Sequence, residues 1–186
     1  AVTFALGDSP ATRAMWPFAF ALLYRVSVSD VLCAALTVTN AGDEPFEFTE
    51  ALHSYFDVCD IDAVSLEGLA GGAYLDKVEG FARKRQREAL LRFSAETDRI
   101  YLATGGECAI HDARRARRIR IRKAGSHSTV VWNPWRERAR QMGDFPDEGY
   151  RDMLCVESAN TAQHPVCLAP GQRHTLSVFI DSVTDS

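Results

Sequence analysis

The sequence is poor in the features that mark several large classes of protein. It has no run approaching the ~18 consecutive apolar residues that a membrane-spanning helix needs. It has no secretory apolar stretch behind Ala1. It opens on Ala rather than Met, which reads as a processed chain or the remaining part of a longer one. Positive charge is not in excess: 21 basic residues face 25 acidic ones, a net charge of -4 that argues against a general nucleic-acid binder. The five cysteines (Cys33, Cys59, Cys108, Cys155, Cys167) form no C-x-x-C pair and no even framework, so reduced thiols are expected rather than disulfides. Repeats, low-complexity tracts and linkers are also missing. What is present is 186 residues, 46% hydrophobic and 10% aromatic. That is one domain's worth of chain with ample material for a core, which excludes a disordered segment.

The dominant period is two. From Phe18 the run FAFALLYRVSV puts Phe18, Phe20, Leu22, Tyr24, Val26 and Val28 on one face, a strand signature. Leu32–Thr39 alternates in the same way. The turn cluster Asn40–Asp43 then leads into a return strand starting at Pro45, a hairpin pattern. Extended through Phe56, that strand carries Phe46, Phe48, Leu52 and Phe56 on one face. Glu47, Thr49, His53, Tyr55 and Asp57 lie on the other, a polar face that either meets solvent or lines a cavity. Gly68–Asp76 reads as loop. Short strands are expected at 90–93, 100–102, 119–121, 129–132, 154–157 and 175–180, a short helix over 135–142, and a type II turn at Ala169–Gln172. The sum is a predominantly antiparallel β domain with one or two short helices.

His53 and Glu157 stand in strands among apolar neighbours. A carboxylate in such a setting is paired, exposed or tuned for proton transfer. The histidines 111, 127, 164 and 174 show no metal-ligand spacing and read as surface or capping residues. Trp132 and Trp135 flank Asn133-Pro134 and read as packing residues.

Several blocks, in order along nearly the whole chain, resemble the glucose-6-phosphate 1-epimerases of the aldose 1-epimerase, galactose mutarotase-like superfamily. They are ATRAMWPFAFAL (11–22), ALHSYFDVCDIDAVSLEGLAG (51–71), ETDRIY (96–101), TVVWNPW (129–135), MLCVESAN (153–160) and LAPGQRHTLSVFI (168–180). The resemblance implies an all-β, galactose mutarotase-like β-supersandwich and a cofactor-free interconversion of the anomers of a phosphorylated hexose. It implies His53 as general acid, Glu157 as general base and Asp98 as a residue that binds sugar hydroxyls. Tyr55, on the same face as His53, would position it or stack on the sugar. A cytosolic setting is implied, or an organelle if a transit peptide was removed.

Two departures qualify the resemblance. The family's domain is longer at its N-terminus, so residues 1–186 read as the C-terminal majority of one sandwich. The phosphate-holding arginines would lie in the missing part, Arg13 being a weak substitute. Another polypeptide is therefore expected to cover the strand edges and apolar face left open. The second departure is RRARRIRIRK (114–123), with seven basic residues in ten. It is a solvated face offset by acids, a docking face for an acidic partner or for RNA, or, least favoured, a direct contact for the sugar phosphate. In the docking case the chain is a former epimerase kept as an interaction subunit.

Overall fold

The computed structural model describes residues 1–184. Seventeen strands follow one another: β1 (Val2–Gly7), β2 (Phe20–Val28), β3 (Leu32–Asn40), β4 (Phe46–Phe48), β5 (Glu50–Leu52), β6 (Tyr55–Asp57), β7 (Val64–Glu67), β8 (Ala73–Asp76) and β9 (Ala82–Arg85). They continue as β10 (Leu90–Arg92), β11 (Thr97–Leu102), β12 (Cys108–Asp112), β13 (Arg117–Ala124), β14 (Ser128–Asn133), β15 (Met153–Asn160), β16 (Val166–Leu168) and β17 (Arg173–Thr184). Two short helices join them, α1 (Pro10–Met15) and α2 (Trp135–Gln141). No helix is long and apolar enough to cross a membrane among the described residues.

The strands form two large antiparallel sheets. The first runs β1-β2-β3-β17-β13-β12-β7-β10, the second β5-β15-β14-β11-β8-β9 with β6 also on β15, and β4 and β16 form a small pair. The inner faces meet where the alternation places its apolar side chains. Leu66, Ile110, Ile119, Ile121, Leu176 and Val178 of the first sheet pack against Leu52, Phe56, Tyr101, Val131, Leu154 and Val156 of the second. Each fully buried Val, Leu or Ile contributes roughly 1.5–3 kcal/mol relative to leaving it in water. Phe20, Val38, Phe46 and Leu168 form a smaller cluster under the β4–β16 pair.

One polar group crosses this apolar interior. Asn160 Nδ2 donates to Glu50 Oε1 at 2.9 Å and to the Gly125 carbonyl at 2.7 Å. His174 Nε2 lies 3.1 Å from the same Glu50 oxygen and 2.8 Å from the same carbonyl. Gly125 has φ +67°, and a Cβ there would come within 2.1 Å of the Thr175 carbonyl oxygen, so only glycine fits this turn. Burial holds the Glu50 carboxyl above its usual range.

The arginine-rich segment is neutralised from within its own neighbourhood. Arg114 pairs with Asp60, Arg115 with Asp57, Arg117 with Asp112, Arg118 with Glu67, and Arg120 and Arg122 both with Asp181. Asp181 stands directly opposite Arg120 across the β13–β17 ladder, while Ile119 and Ile121 turn inward. The solvated, acid-balanced face is therefore the one observed.

Several local expectations need correction. The return strand is not continuous to Phe56. It breaks into β4, β5 and β6, because β4 pairs with β16 whereas β5 and β6 pair with β15. Ala73–Asp76 is strand rather than loop, since it fills the gap between β11 and β9. His174 is not a surface or capping residue but part of the bridge between the sheets. The first alternating strand begins at Phe20, and β1 and α1 precede it. A capping box between Ser9 and Thr12, with Pro10 at the first turn, starts α1.

Candidate active site

A cleft of about 450 Å³ lies on the outer face of the second sheet. Its floor follows from ladder register. Val130 of β14 stands opposite Ile100 of β11 on one side and Glu157 of β15 on the other. One row over, Trp132 stands opposite Asp98 and Cys155. Two residues come from strand ends: His53 follows β5 at one end of the cleft, and Lys77 follows β8 at the other, its N–H donating to the Asp98 carbonyl at 2.8 Å.

His53 Nε2 lies 3.1 Å from Glu157 Oε1, the imidazole 49% exposed and the carboxylate only 7%. Burial pushes the Glu157 carboxyl up to about 7, with the Asp98 charge adding to the rise and the Lys77 charge opposing it. Glu157 thus exchanges its proton near neutrality, where a general base is most effective. The Tyr55 ring stacks on the His53 ring, 4.9 Å between centroids and 17° between planes. The Trp132 ring meets both edge-on, at 6.2 Å and 6.1 Å.

Asp98 closes the far end. Its Oδ2 holds Lys77 Nζ at 2.7 Å, while its buried Oδ1 has no hydrogen-bond partner among the described residues. That oxygen is sealed from the cleft, so a ligand hydroxyl could meet it only if the side chain turned.

Of the four residues singled out from the sequence, His53, Asp98 and Glu157 line this cleft, whereas Tyr55 lies outside its lining and reaches the site only through its stack on His53. Two others escaped the sequence reading. Trp132 is a cleft wall as well as a packing residue; Trp135 packs on Tyr150 at 5.4 Å. Lys77 gave no signal, because its partner Asp98 is recognisable only once β8 and β11 are known to be neighbours.

This architecture places the chain among the galactose mutarotase-like β-sandwiches. A solved structure titled a "putative mutarotase" from Salmonella typhimurium superposes with a TM-score of 0.89 at 34% identity, covering 98% of this chain and 60% of that one. The galactose 1-epimerase structure from Lactobacillus acidophilus NCFM, at 12% identity and a TM-score of 0.74, shares the fold over 99% of this chain and 63% of that one. The chain belongs to the aldose 1-epimerase family, whose model matches residues 1–180. Two curated relatives bear the name "Putative glucose-6-phosphate 1-epimerase". The one from Cenchrus ciliaris is 35% identical over 176 residues, covering 92% of this chain and 53% of the relative. The one from Escherichia coli K12 is 35% identical over 163 residues, covering 88% and 54%. The chain spans about half the length of the curated relatives it matches.

Proposed function

We propose that this chain carries the acid–base apparatus of a mutarotase that interconverts the α and β anomers of a hexose 6-phosphate, glucose 6-phosphate first among them. The observation that carries the reading is the His53–Glu157 pair at 3.1 Å in an open cleft. The O1 hydroxyl and the ring oxygen O5 are both bonded to C1, so an acid and a base serving them must stand side by side. Glu157 takes the proton from O1 as His53 gives one to O5. The C1–O5 bond breaks, its electron pair going to O5, and O1 becomes the aldehyde oxygen. Rotation about C1–C2 presents the other face, and the reverse transfers close the ring. Each positioned group supplies ~10²–10⁴-fold in rate.

The far end of the cleft suits the remaining hydroxyls. Lys77 donates to one of them, its ammonium held in place by Asp98 Oδ2. Trp132 offers an apolar wall to the C–H side of the ring. The Asp98 carboxylate offsets the Lys77 charge, so charge pairing with a 6-phosphate falls to groups outside the cleft lining.

The test is to follow anomer exchange of glucose 6-phosphate by two-dimensional NMR, using this chain with any polypeptide that co-purifies. Exchange above the buffer rate that Glu157→Gln abolishes is expected. Equal inactivity of wild type and variant would overturn the reading. The alternative, an interaction subunit docking through residues 114–123, finds no favouring observation, since each of its arginines already holds a carboxylate.

A further inference from the structure

Cross-strand register carries the cleft floor on to the opposite edge of the second sheet. Glu157 stands opposite Val130, Val130 opposite Ile100, Ile100 opposite Leu75, and Leu75 opposite Arg83 of β9. Residues directly opposite one another in antiparallel strands share a face, so Arg83 projects from the face that carries the cleft. Arg85, two residues on, projects from it too. Both are exposed. Four strand spacings of ~4.8 Å separate the backbones of Arg83 and Glu157, roughly 19 Å in all. Uncharged side chains, Val130, Ile100 and Leu75, fill the row between them.

These two arginines differ from the others that stand on strands nearby. On the outer face of the first sheet, Arg118 holds Glu67, and Arg120 and Arg122 share Asp181. Between Arg83 and Arg85, Lys84 pairs with Asp76 and Glu79. Neither Arg83 nor Arg85 meets a carboxylate among the described residues, so their charge is uncompensated on a chain of net charge -4. The cleft by itself does not attract an anion. Glu50, Asp98 and Glu157 line it against one lysine, and Asp98 offsets that lysine.

We propose that Arg83 and Arg85 form an electrostatic guide that draws an anionic ligand across the floor strands towards the cleft. The guide rests on the function proposed above, in which the ligand is a phosphate monoester carrying about −1.5 to −2 charges at pH 7. Uncompensated cations on one face bias the diffusion of such a ligand before any contact forms. The guide thus favours a phosphorylated sugar over its neutral parent by arrival, not by a bond at the reacting carbon. The Debye length is ~8 Å at physiological ionic strength and ~30 Å at about 0.01 M. The pull across the span from Arg83 to Glu157 therefore strengthens as salt is diluted.

The experiment maps the field with an anionic and a neutral nitroxide, whose relaxation enhancement of backbone amides reports how often each comes near. It uses this chain with any polypeptide that co-purifies, in about 0.01 M salt. The anionic nitroxide should enhance relaxation at Leu75 and Ile100 about twofold more than the neutral one. Arg83→Gln with Arg85→Gln should erase that excess, and Arg83→Lys with Arg85→Lys should keep it. Arg120→Gln with Arg122→Gln removes the same charge from the other side of the sandwich and should also keep it. In anomer exchange of glucose 6-phosphate, the Gln pair at 83 and 85 should lower kcat/KM roughly threefold in dilute salt. It should leave kcat unchanged, and its effect should vanish in about 0.5 M salt. Three outcomes overturn the proposal. One is equal enhancement by the two nitroxides in the wild type. Another is an excess that survives the Gln pair at 83 and 85, or that the pair at 120 and 122 erases as well. The last is an active chain whose kcat/KM in dilute salt the Gln pair leaves unmoved. A nitroxide excess lost as expected, without anomer exchange in any salt, would sink the proposed function and leave the guide for anions standing.

Discussion

The two ends of the eight-stranded sheet meet water in opposite ways. At the β13-β12-β7 end the inner face lies under the second sheet and the outer face carries arginines, each beside a carboxylate. At the β1-β2 end the same alternation continues, but its apolar face is bare. Alternation encodes which face of a strand is apolar; it does not encode whether anything lies over that face. The difference between the ends is one of neighbours rather than of strand sequence, and it can be pushed in either direction.

The largest effect belongs to the cleft that rests on the roofed half. Glu157→Gln should reduce anomer exchange by about 10²–10⁴-fold with the fold unchanged by circular dichroism; a loss under tenfold would remove Glu157 from the chemistry. Next comes a direct contrast between the ends. Leu66→Ala, at a fully buried site, should cost about 2–5 kcal/mol in denaturant unfolding. Phe4→Ala should cost under about 0.5 kcal/mol, as at other surface sites. Equal costs would mean that the β1 end is as tightly packed as the core.

A third effect is electrostatic. Only ionised Glu157 can accept the O1 proton, so exchange should fall as pH drops through about 7, the value to which burial raises its carboxyl. For an acid whose proton is held more tightly in the folded state, the accompanying stability is full at low pH. It is lost as pH rises from the unfolded carboxyl range through 7. Lys77→Met removes the charge that opposes this rise and should move the acid limb upward by a fraction of a unit, Asp98→Asn moving it downward. An unmoved limb in both variants would show that the two ends of the cleft are uncoupled. Smallest of all, Asp181→Asn should lower stability only modestly in denaturant unfolding, since Arg120 and Arg122 are half-exposed and can turn to water.

How much of this was legible in the sequence depended on strand length. The nine residues of β2 and of β3 repeat the alternation often enough to be read directly. The three residues of β5 and β6 do not, and nothing local announces that β4 leaves for β16 while its successors join β15. The face assignment nonetheless held across the breaks, with Leu52 and Phe56 inward and His53 and Tyr55 outward, because two-residue periodicity survives where partners change. His53 and Glu157 stood out through the ordered blocks of family likeness. Their residue pattern alone fitted an exposed strand face equally well. Lys77 and the cleft-facing side of Trp132 needed the cross-strand register of β8, β11 and β14, information that no single stretch contains.

The polar bridge of Asn160, Glu50 and His174 has a consequence for how the two sheets find their alignment. Branched apolar side chains interdigitate almost as well after a slip of two residues, so the core alone discriminates poorly among neighbouring alignments. Such a slip would take the His174 donor away from the buried Glu50 carboxyl and leave it only Asn160, its neighbour within the same sheet. Its donors come from two other stretches of chain, Asn160 on β15 and His174 on β17, which the Gly125 carbonyl in turn accepts from. The bridge therefore works as a combination lock: it closes only in one alignment, and only after segments more than a hundred residues apart (positions 50 and 160) have met.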